Sequence, residues 1–215
     1  MGIRQRFPLP RSGLLLLALL SAGAGDAWAQ TDTGLPGIRL EGLGPAVAAP
    51  EAPALKAMSP TDLLIALRRA PDARAARPYV REIERRRGAS GSDTVDLLMD
   101  QALRASRDGQ TGRALDLLDA ALRIRPDFSA AHVRRALVRF QSGDAGGAVE
   151  DLAAALEADP DNWTALEGIA AVFVSLGDEK SAAVAYDEAL AINPWLTEAR
   201  EARDKLTPDV DGREI

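Results

Sequence analysis

The chain of 215 residues holds one histidine, His132, and no cysteine. The missing thiols exclude disulfides, thiolate metal sites and cysteine nucleophiles. A single imidazole cannot build a histidine-based metal or acid–base cluster. His132 falls on a helical pattern at a packing position, so a packed or capping role is expected. Asp159-Pro160-Asp161-Asn162 has the carboxylates of a calcium loop but lacks its central glycine and closing glutamate. It reads as a turn. Gly146-Gly147 is not followed by the Lys-Ser or Lys-Thr of a phosphate-binding loop. The formal charge of −6 argues against non-specific nucleic-acid binding, which needs a basic surface. The expectation is a protein that is not an enzyme and has no cofactor and no metal, so function must come from a surface.

The elements that would present such a surface are helical. The chain is 47% hydrophobic but only 4% aromatic, and it is rich in alanine, leucine, arginine and acidic residues, which favour helices over strands. Arg4, Arg6 and Arg11 precede the apolar run Leu14 to Leu20, and Ala27-Trp28-Ala29 offers small residues at a cut site. Residues 1–29 therefore read as a secretory signal peptide cleaved near Ala29/Gln30. The stretch from Gly13 to Gly25 is shorter than the roughly 17–25 residues a membrane span needs. A periplasmic or secreted protein is expected, with no stable membrane anchor after cleavage. Residues 30–58, punctuated by glycines and prolines, read as a disordered linker. Residues 59–91 read as a helical hairpin. Ser59 caps, Pro60 opens and Asp62 completes a capping box for the first helix, with Leu63, Leu64 and Leu67 as its apolar stripe. A second helix over 73–87 contains Pro78, which should kink or delay it, and ends in Arg85-Arg86-Arg87, read as a solvated, dipole-matched end.

A single repeating interval dominates the remainder. Pro126, Pro160 and Pro194 are evenly spaced, and Gly109, Gly143 and Gly177 keep the same interval. So do Ala102, Ala136 and Ala170; Ala114, Ala148 and Ala182; Ala121, Ala155 and Ala189; and Leu122, Leu156 and Leu190. Small residues at such positions let paired helices approach closely. The glycines suit a tight turn needing positive φ, and the prolines stop the second helix of each unit.

By these residues the sequence resembles the tetratricopeptide repeat (TPR) family, built from 34-residue helix–turn–helix units. The resemblance implies an all-α fold: a right-handed superhelical solenoid of antiparallel helix pairs. Residues 92–206 would form it, with repeats 95–128, 129–162 and 163–196, a polar capping helix over 195–206 and a tail at 207–215. The hairpin would stack on the first repeat as a divergent amino-terminal unit. His132, Arg139 and Ala105 stand where the family often has bulky or aromatic residues, so a marginal solenoid is expected. Family members commonly hold a peptide or partner helix on the concave face of successive first helices. The matching residues are Met99, Leu103 and Arg107, then Val133, Arg134, Leu137 and Phe140, then Ala171 and Val174. Met99 and Phe140 would be exposed anchors, unless the hairpin or linker covers the groove. The carboxylate clamp of chaperone-tail binders would need polar and basic residues at Met99, Leu103, Arg134, Thr164 and Gly168, and the set does not match. The resemblance implies a module for a protein or peptide partner, and with the expected signal peptide it reads as an exported one, in envelope assembly. The alternative is a structural protein that associates with itself through exposed helix faces, without a peptide ligand.

Overall fold

The protein is represented by a computed structural model, which describes residues 52–206. The expected signal peptide, most of the expected linker and the expected tail lie outside those residues. The described residues form ten helices: α1 (Ala52–Ala57), α2 (Pro60–Arg69), α3 (Ala73–Arg87), α4 (Asp93–Arg107), α5 (Thr111–Ile124), α6 (Ser129–Gln141), α7 (Ala145–Ala158), α8 (Trp163–Leu176), α9 (Glu179–Ile192) and α10 (Thr197–Leu206). Helices α4 to α9 pair as three hairpins stacked in sequence, and α10 closes the array against α9. This is the expected solenoid of antiparallel helix pairs.

The repeated residues build it as their chemistry requires. Ala114, Ala121, Ala148, Ala155, Ala182 and Ala189 are each 0% exposed. A larger side chain at any of them would push two helices apart. The turn glycines Gly109, Gly143 and Gly177 have φ of 72°, 90° and 77°. A Cβ at these sites would meet nothing within 4 Å. The left-handed backbone, rather than crowding, therefore selects glycine there. Asp144 and Asp178 then accept hydrogen bonds from the Gly147 and Ser181 amides and cap α7 and α9. These bonds satisfy donors that a helix start leaves open.

The amino-terminal helices depart from expectation in three ways. First, residues 52–57 are not linker but helix α1, whose Leu55 is buried. Its exposed carbonyl ends are claimed by Arg86, which donates to Leu55 O and Met58 O, both at 2.9 Å. Second, α3 continues as helix through Pro78, which lies inside it rather than in its first turn and removes one backbone hydrogen bond without ending it. Third, the hairpin does not stack on the first repeat. Its Leu63, Leu64, Leu67, Ala76 and Ile83 share a core with Trp163, Leu166 and Ala189 of the third repeat. Trp195 Nε1 donates to Leu67 O at 3.0 Å. Arg87 Nε donates to Asp159 at 2.6 Å and its guanidinium lies 4.2 Å from the Trp163 ring centre. The chain then returns to the first repeat, where Arg125 bonds Ser90 O. The hairpin is thus a strap along the edge formed by the turns between repeats.

Of the arginine run, Arg85 is exposed as expected, while Arg86 and Arg87 are half-buried and hold other segments. Arg85 and Arg86 both bond Glu82, Arg86 also holds α1, and Arg87 holds the α7–α8 turn. Hydrogen bonds from Arg85 and then Arg86 keep the Glu82 carboxyl down at about 2.

Candidate partner-binding surface

The first helices of the three units, α4, α6 and α8, succeed one another along one side of the array, and α6 touches α8 directly. Helical spacing sets the proposed residues on that side. Leu103, Val133, Leu137, Phe140 and Ala171 are half-buried, while Arg107, Arg134 and Val174 are exposed. Met99 is the correction. It is 8% exposed and belongs to the core that joins the first repeat to Ala131 and Val138 of the second. Its register position turns inward at this junction, so it cannot anchor a partner. Phe140 is also less open than expected, packed against the core around Leu152 and Val172.

Charge divides this side. On the amino-terminal half, Arg134 reaches water, yet the surrounding walls desolvate it and hold its pKa below the arginine range. Asp100 opposes that shift and Arg107 reinforces it. On the carboxyl-terminal half, burial pushes Glu167 up to about 7, helped by the charges of Glu198 on α10 and Glu84 on α3. One end is therefore cationic, the other is crowded with carboxylates, and half-buried aliphatic side chains lie between.

The unusual middle repeat has a separate explanation, one that a search for family aromatics does not reach. Asp151 is 2% exposed. Arg135 grips it through Nε at 3.0 and 3.1 Å and Nη2 at 2.5 Å, and reaches Asp119 with Nη1 at 2.6 Å. Arg139 lies 3.1 Å from the same carboxylate. His132 Nε2 lies 2.8 Å from Pro126 O, and its Nδ1 faces Asp151 at 3.7 Å. Both ring nitrogens face acceptors, which favours the doubly protonated ring. The Asp151 carboxylate raises the His132 pKa, against the effect of burial. Burial would raise the Asp151 pKa, but His132, Arg135 and Arg139 outweigh it and lower it. The signal is present in the repeat register. The equivalent positions of the first and third units carry Leu98 and Leu166 for His132, Gln101 and Ile169 for Arg135, Ala105 and Phe173 for Arg139, and Leu117 and Ala185 for Asp151. One unit alone replaces this mostly apolar set with compensating charges.

In the third repeat the same slot is an open cavity of about 410 Å³, lined by apolar residues including Leu166, Ile169, Phe173 and Ala185 and by the polar Lys180, Ser181 and Glu188. In sequence Leu166, Ile169 and Phe173 form an ordinary apolar stripe at helical spacing, which gives no sign of an opening there.

The fold and the surface together define a helical-repeat scaffold. Comparison with known proteins places it further. Residues 99–152 and 133–194 match the tetratricopeptide repeat family model, so this stretch is similar to that family. A TPR repeat-containing protein of Rhizobium etli is 29% identical over 146 residues, covering 68% of this chain and 72% of that protein. The first TPR domain of Spaghetti (RPAP3), solved with the HSP90 peptide SRMEEVD, has a TM-score of 0.51 at 19% identity. The match covers 54% of this chain and 91% of that one. The Sgt2 TPR domain of Aspergillus fumigatus has a TM-score of 0.51 at 21% identity, covering 57% and 90%. At these identities the solved structures share the fold.

Proposed function

We propose that the array is a non-enzymatic protein- or peptide-binding module that works outside the cytoplasm, in cell-envelope assembly, after cleavage near Ala29/Gln30. The observation that carries the binding reading is the side formed by α4, α6 and α8. There Leu103, Val133, Leu137 and Ala171 stay partly open, flanked by exposed Arg107, Arg134 and Val174. Apolar contacts of this kind suit an amphipathic helix or an extended segment. Tetratricopeptide domains are in general protein-interaction modules, and the Spaghetti domain is seen with a peptide. The export reading rests on the basic start, leucine run and Ala27-Trp28-Ala29 of the sequence.

Two experiments test this. Envelope co-purification should compare the native chain with an Arg134→Glu/Val174→Asp variant, whose changes fall on exposed side chains and spare the fold. Loss of the bound partner is expected; an unchanged partner set would contradict the surface. Amino-terminal sequencing of the mature protein should begin at Gln30, and a retained Met1 would contradict export.

A further inference from the structure

The repeat register exposes a second surface, at the leading end of the array. Leu97, Ala131 and Ala165 occupy the same position in the three successive units. Ala131 and Ala165 are both 0% exposed. Each is buried by the unit before it: Ala131 in the core of Leu118 and Leu122, Ala165 in the core of Leu152 and Ala155. Leu97 is 57% exposed. No unit precedes it among the described residues, because the hairpin that could have filled that place is strapped to the third repeat. The largest side chain of the three therefore stands at the position that lacks its cover.

The charges beside Leu97 identify what fits. On α4, Asp93, Leu97, Gln101 and Arg104 form one stripe, at helical spacings of four, four and three. Asp93, Leu97 and Arg104 are exposed and Gln101 is half-buried. The stripe is acidic at its amino-terminal end, apolar near its middle and basic beyond. Such a stripe complements itself when reversed. An antiparallel pair of α4 helices with its two-fold axis midway between Asp93 and Arg104 sets each Asp93 against the partner's Arg104. It also brings the two Leu97 side chains within about 4.5 Å of each other along the axis, at a rise of roughly 1.5 Å per residue. The outer face of α10 at the other end, with Glu201, Asp204 and Lys205 exposed, offers no apolar match, so head-to-tail stacking is not favoured.

We propose that the exposed face of α4 pairs with α4 of a second copy of this chain in an antiparallel, two-fold dimer. One helix face is smaller than the roughly 800 Å² per partner of a standard stable interface. The association is therefore weak and reversible. It is independent of the partner-binding reading, which concerns the α4–α6–α8 side.

Sedimentation velocity of the purified chain over a wide concentration range tests the pairing. Concentration-dependent dimerisation is expected, weakened at least tenfold by Leu97→Asp. Circular dichroism should stay native, since Leu97 contributes to none of the cores. Asp93→Arg and Arg104→Asp should each be monomeric alone, through Arg–Arg and Asp–Asp contacts. Mixed together, they should recover the association as a heterodimer. A native chain that stays monomeric at every concentration overturns the proposal and leaves residues before 52 or a different protein as the cover of Leu97. A dimer indifferent to Leu97→Asp, or a mixture that fails to recover, overturns it equally.

Discussion

Asp151 is the residue on which the middle repeat turns. Replacing it with leucine leaves Arg135, Arg139 and His132 around an apolar side chain, and breaking a buried charge set in this way costs about 3–5 kcal/mol. Urea unfolding of Asp151→Leu should show that loss. The combined variant His132→Leu/Arg135→Ile/Arg139→Phe/Asp151→Ala copies the third repeat and should recover part of it, since no charge is then left unpaired, although the same four residues leave an open cavity in the third repeat. A quadruple variant as unstable as the single one would show that shape, not charge, fits this slot. The pH signs follow from the same contacts. Asp151 has a lowered folded pKa, so its contribution is present above the ordinary carboxylate range and fades as pH falls through the folded value. His132 has a raised pKa, so its contribution is full below the ordinary histidine value and fades as pH rises through the folded one. Glu167 runs the other way. Its folded pKa of about 7 exceeds the ordinary 4.5, so the native state binds the extra proton and stability falls as pH rises between the two. Its neighbours are Glu84 on α3, Glu198 on α10 and Tyr186 on α9. Glu167→Gln should flatten that fall and add roughly 2–3 kcal/mol at about pH 8. An unchanged pH profile of stability would contradict the shift.

At the scale of elements, the repeats were legible because each helix pair is specified locally. The regular spacing of alanine, glycine and proline states where helices touch, turn and stop, and α4 to α9 follow it closely. The strap was not legible. Its apolar stripe of Leu63, Leu64 and Leu67 and its caps announce a hairpin. Which repeat receives it depends on contacts far along the chain, from Trp195 to Leu67 and from Arg87 to Asp159. Helix α1 was hidden because Pro53 and the small residues around it read as linker, while the Arg86 guanidinium that holds its carbonyls is remote from Leu55 in sequence. The strap yields its own prediction. Arg87→Ala/Trp195→Phe removes the ion pair, the ring contact and the indole hydrogen bond. Hydrogen exchange should then quicken in α2 and α3 while α4 to α7 keep their protection. Equal quickening throughout would mean that strap and array unfold as one unit. In the turns, Gly143→Ala forces a Cβ into left-handed backbone and should cost about 1–2 kcal/mol in urea unfolding, with no steric clash to add to it.

Over the whole molecule, the candidate surface was half legible. Register positions put Leu103, Arg107, Val133, Arg134, Leu137, Ala171 and Val174 on one side, and the structure gives all of them some access to water. Met99 failed because repeat arithmetic says which face a residue belongs to, and not how deeply the next repeat covers it. The exposure of Leu97 was hidden for the same reason, since it depends on where the hairpin goes. The two proposed surfaces are the side along α4, α6 and α8, and the leading face of α4. The central claim concerns the first. A photo-reactive amino acid placed in turn at Leu137 and Val174, and at Asp116 and Glu150 on the second helices as controls, tests it in the native host envelope. The account predicts one discrete protein adduct from both Leu137 and Val174 and none from the controls. Adducts from the controls alone, or from no position at all, would contradict it.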